Sequence, residues 1–136
     1  MEAIEYDDPD EKAVHMAEAR WFRGFAYRSL AYLYGGVPIV LEEIGSPRRD
    51  FERATLEQTL GQAIEDLEFA AANLPGVNGV IADGRLNNAA ANHYLGELYL
   101  ATNNVDRAIA VTTTVINDPA IALMTERFGN KADQEG

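Results

Sequence analysis

Apolar positions between residues 9 and 34 recur on two stripes of helical spacing, Val14, Ala17, Trp21 and Phe25 on one and Ala19, Phe22, Ala26, Leu30 and Leu33 on the other. Together they exceed a single amphipathic face, so the pattern predicts a first helix buried between neighbours. The preceding "YDDPDEK" supplies a start, with Asp8 as N-cap, Pro9 at the first helical position and Glu11 placed to close a capping box. Gly24 lies among the aromatic residues at a cost in helix propensity, which marks a place where another backbone comes close. Gly35 and Gly36 end the helix, and Pro38 blocks an immediate restart.

Residues 37–54, "VPIVLEEIGSPRRDFERA", hold a short β-prone run, a turn at Gly45-Ser46-Pro47 and a charged exit, and read as a long connection. A second helix follows, capped by Thr55 with Gln58 three residues on. Its apolar face is Leu56, Leu60, Ala63, Ile64, Leu67, Ala70, Ala71 and Leu74, and Glu57, Gln62, Glu65 and Glu68 take the wet side. Leu74-Pro75-Gly76 stops it, and "GVNGVIADGR" reads as a surface loop. A third helix, expected to begin near Leu86, presents Ala91, Leu95, Leu98 and Tyr99. After a break at Asn103-Asn104 a fourth presents Val105, Ala108, Ile109, Thr112, Val115 and Ile116. So short a break predicts an antiparallel hairpin. Gly96, Tyr99 and Ala108 fit a tetratricopeptide unit, in which small residues on facing helices bring two backbones together; Gly96 is expected to face Ala108. The first two helices do not repeat that unit at its period of about 34 residues, because the long connection separates them.

Composition narrows the possible tasks. The chain has 136 residues, enough for one domain with a real core, and its 11 basic and 22 acidic residues give a formal charge of -11. That charge repels phosphate backbones and anionic headgroups, so no nucleic acid partner is expected. With no cysteine, disulfides, zinc-thiolate sites and thiol nucleophiles are excluded. No apolar run approaches the roughly 20 residues of a membrane helix, so no transmembrane span is expected.

Candidate chemistry is sparse. "GVIADGRL" imitates a phosphate-binding loop through Gly79 and Gly84, but Arg85 and Leu86 stand where the lysine and the hydroxyl residue belong. It reads instead as a loop in which Gly84 turns the chain and Arg85 pairs with an acidic neighbour. His15 with Glu18 and His93 with Glu97 each share a helix face, which suits a surface contact and falls short of the three or four ligands of a metal site. Ser29 and Ser46 have no base nearby in sequence. The run "DDPDE" lacks calcium-loop spacing and reads as a solvated helix cap. Aromatic residues at helical spacing read as packing, with Trp21 in the interior.

The order of these parts resembles the SusD/RagB family of nutrient-binding outer-membrane lipoproteins. "AEARWFRGFAYRSLAYLYGGVPIV" looks like the family's signature helix and Gly-x-Pro turn. "TLEQTLGQAIEDLEFAAANLP" looks like its next helix, and "GRLNNAAANHYLGELYLATNNVDRAIAVTTTVIND" is similar to its Gly-Arg opening and Ala-rich hairpin. The resemblance covers most of residues 13–128. It implies an all-α chain of antiparallel, tetratricopeptide-like helical hairpins with a long inserted connection between the first two helices. Residues 1–136 would form a single helical domain within a longer SusD-like protein. The motif residues carried over are structural: Gly24, Gly35, Gly36, Pro38, Gly84, Arg85, Gly96, Tyr99 and Ala108. No ligand contact, catalytic residue, metal or cofactor is carried over. The resemblance further implies a non-enzymatic glycan-capture protein, partnered by a TonB-dependent outer-membrane transporter and binding oligosaccharide in its full-length form. A lipid anchor outside this chain would hold it at the cell surface. The competing reading is a cytoplasmic tetratricopeptide-type adaptor for a protein or peptide partner, whose usual basic clamps the acidic charge disfavours.

Overall fold

The computed structural model describes residues 6–80 and 84–123. Regular structure among them is entirely helical, as the sequence pattern predicts: α1 Pro9–Tyr34, α2 Leu56–Asn73, a 3-10 turn at Val77–Gly79, α3 Asn88–Ala101 and α4 Val105–Ile116. Local signals set the ends. The Asp8 carboxylate accepts from the Asp10 N–H at 2.8 Å, so the cap closes on Asp10 and not through the capping box expected with Glu11. Gly35 ends α1 at φ +73°, a conformation glycine adopts without strain, and donates its N–H to the Ala31 carbonyl at 2.9 Å. Thr55 and Gln58 form a full capping box on α2. Asn87 caps α3, which begins two residues later than expected, by accepting from the Ala90 N–H at 3.0 Å.

Each helix packs on its successor. Across α1 and α2, Arg20 lies over the Phe69 ring and Arg23 meets Asp66, so the two run in opposite directions. Across α3 and α4, Gly96 lies by Thr112 and Arg107 lies over Tyr99, and the sense is again antiparallel. Asn103 at φ +58° makes the turn between them, and the Asn104 N–H closes it on the Tyr99 carbonyl at 2.7 Å. The core runs through all four helices: Ala17, Trp21, Tyr27 and Ala31; Leu60, Ala63, Leu67, Ala70 and Leu74; Ala91, Leu95, Leu98 and Tyr99; and Ala108. None of the described helices is long and apolar enough to cross a membrane.

Two expectations are corrected here. The first helix is not enclosed all round: Ala17 and Trp21 of its first stripe are buried, whereas Ala19, Phe22, Ala26, Leu30 and Leu33 are all exposed. Helix α2 and helix α3 cover one side of α1, and nothing within the described residues covers the other. On α4 only Ala108 is fully buried, while Val105, Ile109 and Ile116 face out. Among the described residues α4 packs chiefly on α3, so half of its apolar face has nothing there to pack on.

Candidate functional site

Of the motif residues, Gly24, Gly35, Gly36 and Pro38 lie on α1 or just after it, Gly84 and Arg85 precede α3, and Gly96, Tyr99 and Ala108 lie on the α3–α4 pair. Gly24 sits where α2 crosses: a Cβ built on it would lie 3.0 Å from the Ala63 carbonyl oxygen and 3.0 Å from Leu67 Cγ. Beside that crossing Arg23 forks onto Asp66, with Nε to Oδ2 at 2.7 Å and Nη2 to Oδ1 at 2.6 Å. The Asp66 side chain is 0% exposed and that of Arg23 31%. Hydrogen bonding to Asp66 is the main cause holding the guanidinium pKa above its usual value. A carboxylate buried this deeply is tolerable only with such a partner.

At the exit of α1 the long connection leaves and returns at one point. A Cβ on Gly36 would fall on the Ala54 carbonyl, so only glycine fits against the returning strand of chain. Arg53 straps the two ends together, donating to the Gly36 carbonyl at 2.5 Å and the Tyr34 carbonyl at 2.5 Å. The Val37 N–H donates to Thr59 Oγ1 at 3.3 Å, and the Ala54 N–H to the Val37 carbonyl at 3.2 Å. Tyr27 Oη holds the next stretch at both polar groups of Val40, accepting from its N–H at 2.7 Å and donating to its carbonyl at 3.1 Å. Pro38 begins the tip, where residues 38–45 and 50–52 with Arg48 line an open concavity of about 560 Å³ that exposes Leu41, Ile44 and Phe51 among Glu42, Glu43 and Glu52.

Gly84 turns at φ +80° and delivers Arg85 to Glu18 on α1, with Nε to Oε1 at 2.8 Å and Nη2 to Oε2 at 2.7 Å. The guanidinium is therefore engaged by a carboxylate, as the loop reading expected; residues 81–83 of that loop lie outside the described residues. The histidine pairings inferred from helix spacing do not form the principal contacts. Glu18 goes to Arg85 and Glu97 goes to Arg28, with Nε to Oε2 at 3.0 Å. His15 packs on Tyr6 and His93 on Tyr94. Arginine wins because its planar fork meets a carboxylate at two points. Arg28 also lies 4.9 Å from the Tyr94 ring centroid and 5.0 Å from that of Tyr32, closing an aromatic cluster in which Trp21 stacks on Phe25 at 5.4 Å.

On the other side, α2, α3 and α4 enclose a shallow groove of about 450 Å³ lined by Glu68, Ala71, Asn92, Leu95, Arg107 and Val111. Tyr99 donates its hydroxyl to Glu68 there, and Arg107 binds the same carboxylate at 2.8 Å. Desolvation first and the Glu68 hydrogen bond second push the Tyr99 phenol up to about 12. Glu68, assigned to the wet side by spacing, thus joins three helices. Gly96 meets Thr112, with Thr112 Cγ2 at 2.5 Å from a Cβ built on it, and not Ala108, which lies one helical turn away and is itself buried.

Taken as chemistry, these groups hold helices together. The Ser29 hydroxyl donates to its own helix at the Phe25 carbonyl, 2.9 Å away. Among the described residues no three His, Asp or Glu side chains converge on a point that could hold a metal. Spacing could not find Arg23–Asp66, Arg28–Glu97 or the Arg53 strap. Asp66 offered one signal, a carboxylate next to Leu67 within the apolar spacing of α2.

Comparison with known proteins adds what the geometry alone does not. Residues 1–100 match the SusD-like family described as starch-binding and associating with the outer membrane. The chain is similar in fold to a laminarin-binding SusD-like protein, at 28% identity over 82% of this chain with a TM-score of 0.69. It is similar to a SusD superfamily protein from Bacteroides vulgatus at 27% identity, 82% coverage and a TM-score of 0.74. A SusD superfamily protein from Bacteroides thetaiotaomicron gives 25% identity, 85% coverage and a TM-score of 0.75. The chain spans 24%, 24% and 27% of those three chains respectively, about a quarter of their length. No curated protein sequence matches it.

Proposed function

The chain belongs to the SusD-like family, and from that membership we propose that it is the helical scaffold portion of a longer, non-enzymatic protein that captures glycan at the outer membrane. The observation that carries the reading is the family match over residues 1–100. The scaffold role is supported by where the motif residues go: Gly24 and Gly36 admit a neighbouring backbone or side chain, Arg85 and Tyr99 are engaged by carboxylates, and Ala108 is buried. Sugar capture uses exposed rings beside converging polar groups, and the Arg28 guanidinium already covers the ring cluster of α1 and α3. Within the same proposal, the full-length protein is held at the cell surface by a lipid anchor outside this chain and works with a TonB-dependent transporter. Stacked helices suit that partnership because they present extended protein-binding faces.

Two measurements test it. Calorimetric titration of residues 1–136 with laminarin and starch oligosaccharides should show no binding heat, and stoichiometric binding of either would make this portion the capture site itself. The full-length protein should co-purify with a TonB-dependent transporter from outer membranes. Recovery from the cytoplasm with soluble peptide partners would replace the proposal with the adaptor reading.

A further inference from the structure

The connection between α1 and α2 differs from the rest of the chain in how little holds its backbone. Residues 41–53 are all exposed, and among the described residues no backbone-to-backbone hydrogen bond involves residues 41–52. Its two ends are nevertheless fixed. Arg53 donates to the Gly36 and Tyr34 carbonyls, each at 2.5 Å, and the Ala54 N–H donates to the Val37 carbonyl at 3.2 Å. Tyr27 pins Val40 through both of its backbone groups. A free tip on a closed neck can take an extended shape without disturbing α1 or α2. An endopeptidase takes its substrate extended, so bonds inside helices are cut only after local unfolding.

The basic side chains single out one bond in that tip. Lys12, Arg20, Arg23 and Arg28 lie in α1 and Arg107 in α4, while Arg127 and Lys131 lie outside the described residues. Arg85 forks onto Glu18, and Arg53 is engaged at the neck. Of the two arginines left, Arg48 forks onto Asp50, with Nε to Oδ1 at 3.0 Å and Nη2 to Oδ2 at 2.9 Å, and lies 5.3 Å from the Phe51 ring centroid. Arg49, its exposed neighbour, makes no hydrogen bond, ion pair or ring contact among the described residues. Its side chain is free to enter the acidic specificity pocket of an arginine-directed protease, and the Asp50 carboxylate beyond the bond is already balanced by Arg48. We propose that the Arg49–Asp50 peptide bond is a proteolytic site, open in the native fold to an endopeptidase of arginine specificity, and that the cleaved chain remains one folded unit. Water adds across the bond. Its oxygen joins the Arg49 carbonyl carbon to give a carboxylate, the carbon–nitrogen bond breaks, and the Asp50 nitrogen leaves as an amine carrying both water protons. The Arg53, Ala54 and Arg23–Asp66 contacts each join residues 1–49 to residues 50–136, so they outlast the cut. What the cut divides is the concavity of the tip, whose walls 38–45 and 50–52 pass to different pieces.

Limited digestion of the folded 136-residue chain with trypsin tests the site, with fragment masses and new N-termini as the readout. Within residues 6–123 the first cut should fall after Arg49, giving a piece that begins at Asp50. Arg49→Gln, a change at an exposed side chain without partners, should slow the first cut in that range by roughly tenfold or more, because every other site there waits for an opening of the fold or the release of a bound arginine. A first cut after Arg53 or Arg85, or inside α1, would overturn the site, and so would an Arg49→Gln chain cut as fast as the parent. The second half of the proposal is read on the cleaved product. Its two pieces should elute together in size exclusion and separate in urea, and its melting temperature should rise with protein concentration while that of the intact chain does not, since only the cleaved chain dissociates on unfolding. Separate elution of the pieces without denaturant would show that the neck does not hold them, and the folded-unit claim would fall.

Discussion

The α1–α2 pair and the α3–α4 pair each set a glycine at their crossing, and the two glycines meet different things. Gly24 faces the Ala63 carbonyl and Leu67, with the ion pair of the fully buried Asp66 carboxylate and the partly exposed Arg23 alongside. Gly96 faces one methyl group of Thr112, on a helix whose Val105, Ile109 and Ile116 are in solvent. Backbone and fully buried side chains cannot yield, whereas a threonine on a helix with one neighbour can turn or move with it. The first pair is therefore rigid through its contacts. The second shares Leu95, Leu98, Tyr99 and Ala108 with the core, and the Glu68–Tyr99–Arg107 cluster ties it back to α2.

The largest effect should come from breaking the ion pair on its exposed side. Arg23→Ala leaves the Asp66 carboxylate buried with no partner and should cost about 3 kcal/mol, the low end for a broken buried pair because the arginine is partly solvated. Asp66→Ala should cost clearly less, since Arg23 can swing to water. Urea denaturation midpoints of the two variants compare them, and equal losses would mean that burial of Asp66 is not what makes the α1–α2 pair rigid.

Next in size is the pair of glycine substitutions. Gly24→Ala should lose on the order of 1–3 kcal/mol by overpacking against α2. Gly96→Ala should stay within about 1 kcal/mol of the parent, because relief of the helix-propensity penalty offsets the push on Thr112. Thermal unfolding reads both. Similar melting temperatures for the two would erase the distinction drawn between the crossings.

Tyr99→Phe probes the tie between the pairs and should cost about 1 kcal/mol near neutral pH through loss of one hydrogen bond to a carboxylate. Its pH signature is more specific. The phenol is raised to about 12 in the folded chain, above the unfolded value of about 10. Its stabilising contribution is therefore complete below about pH 10 and is lost as pH rises toward about 12. The parent should destabilise more steeply than Tyr99→Phe across that window, and parallel curves would show that the phenol does not hold Glu68 in solution.

Smallest of all should be Ile109→Thr on the open face of α4, within about 0.5 kcal/mol of the parent. A loss several times larger in residues 1–136 would show that this face is packed, and the contrast between the rigid and the open pair would fall with it.

Helix positions and their ends were legible in the sequence because they are encoded within a few residues. Asp8 before Pro9, Thr55 with Gln58, and the Gly35-Gly36 exit each act on backbone groups in their own turn, and the α3 core residues Ala91, Leu95, Leu98 and Tyr99 follow from spacing alone. The order of motifs also identified the family, since four helix segments in one sequence order are far more specific than any one. Tertiary structure alone decided which apolar stripe is covered. Trp21 at 8% exposure and Phe22 at 61% are adjacent, similarly hydrophobic and equally compatible with a core. It alone joined Arg23 to Asp66, 43 residues away, and Arg28 to Glu97, 69 residues away, in place of the histidine pairs that helical spacing suggested. Local hydrogen bonding and side-chain period are properties of a single segment and can be read from it. Coverage and ion pairing depend on which faces meet across the fold, and that is settled by the packing of all the helices at once.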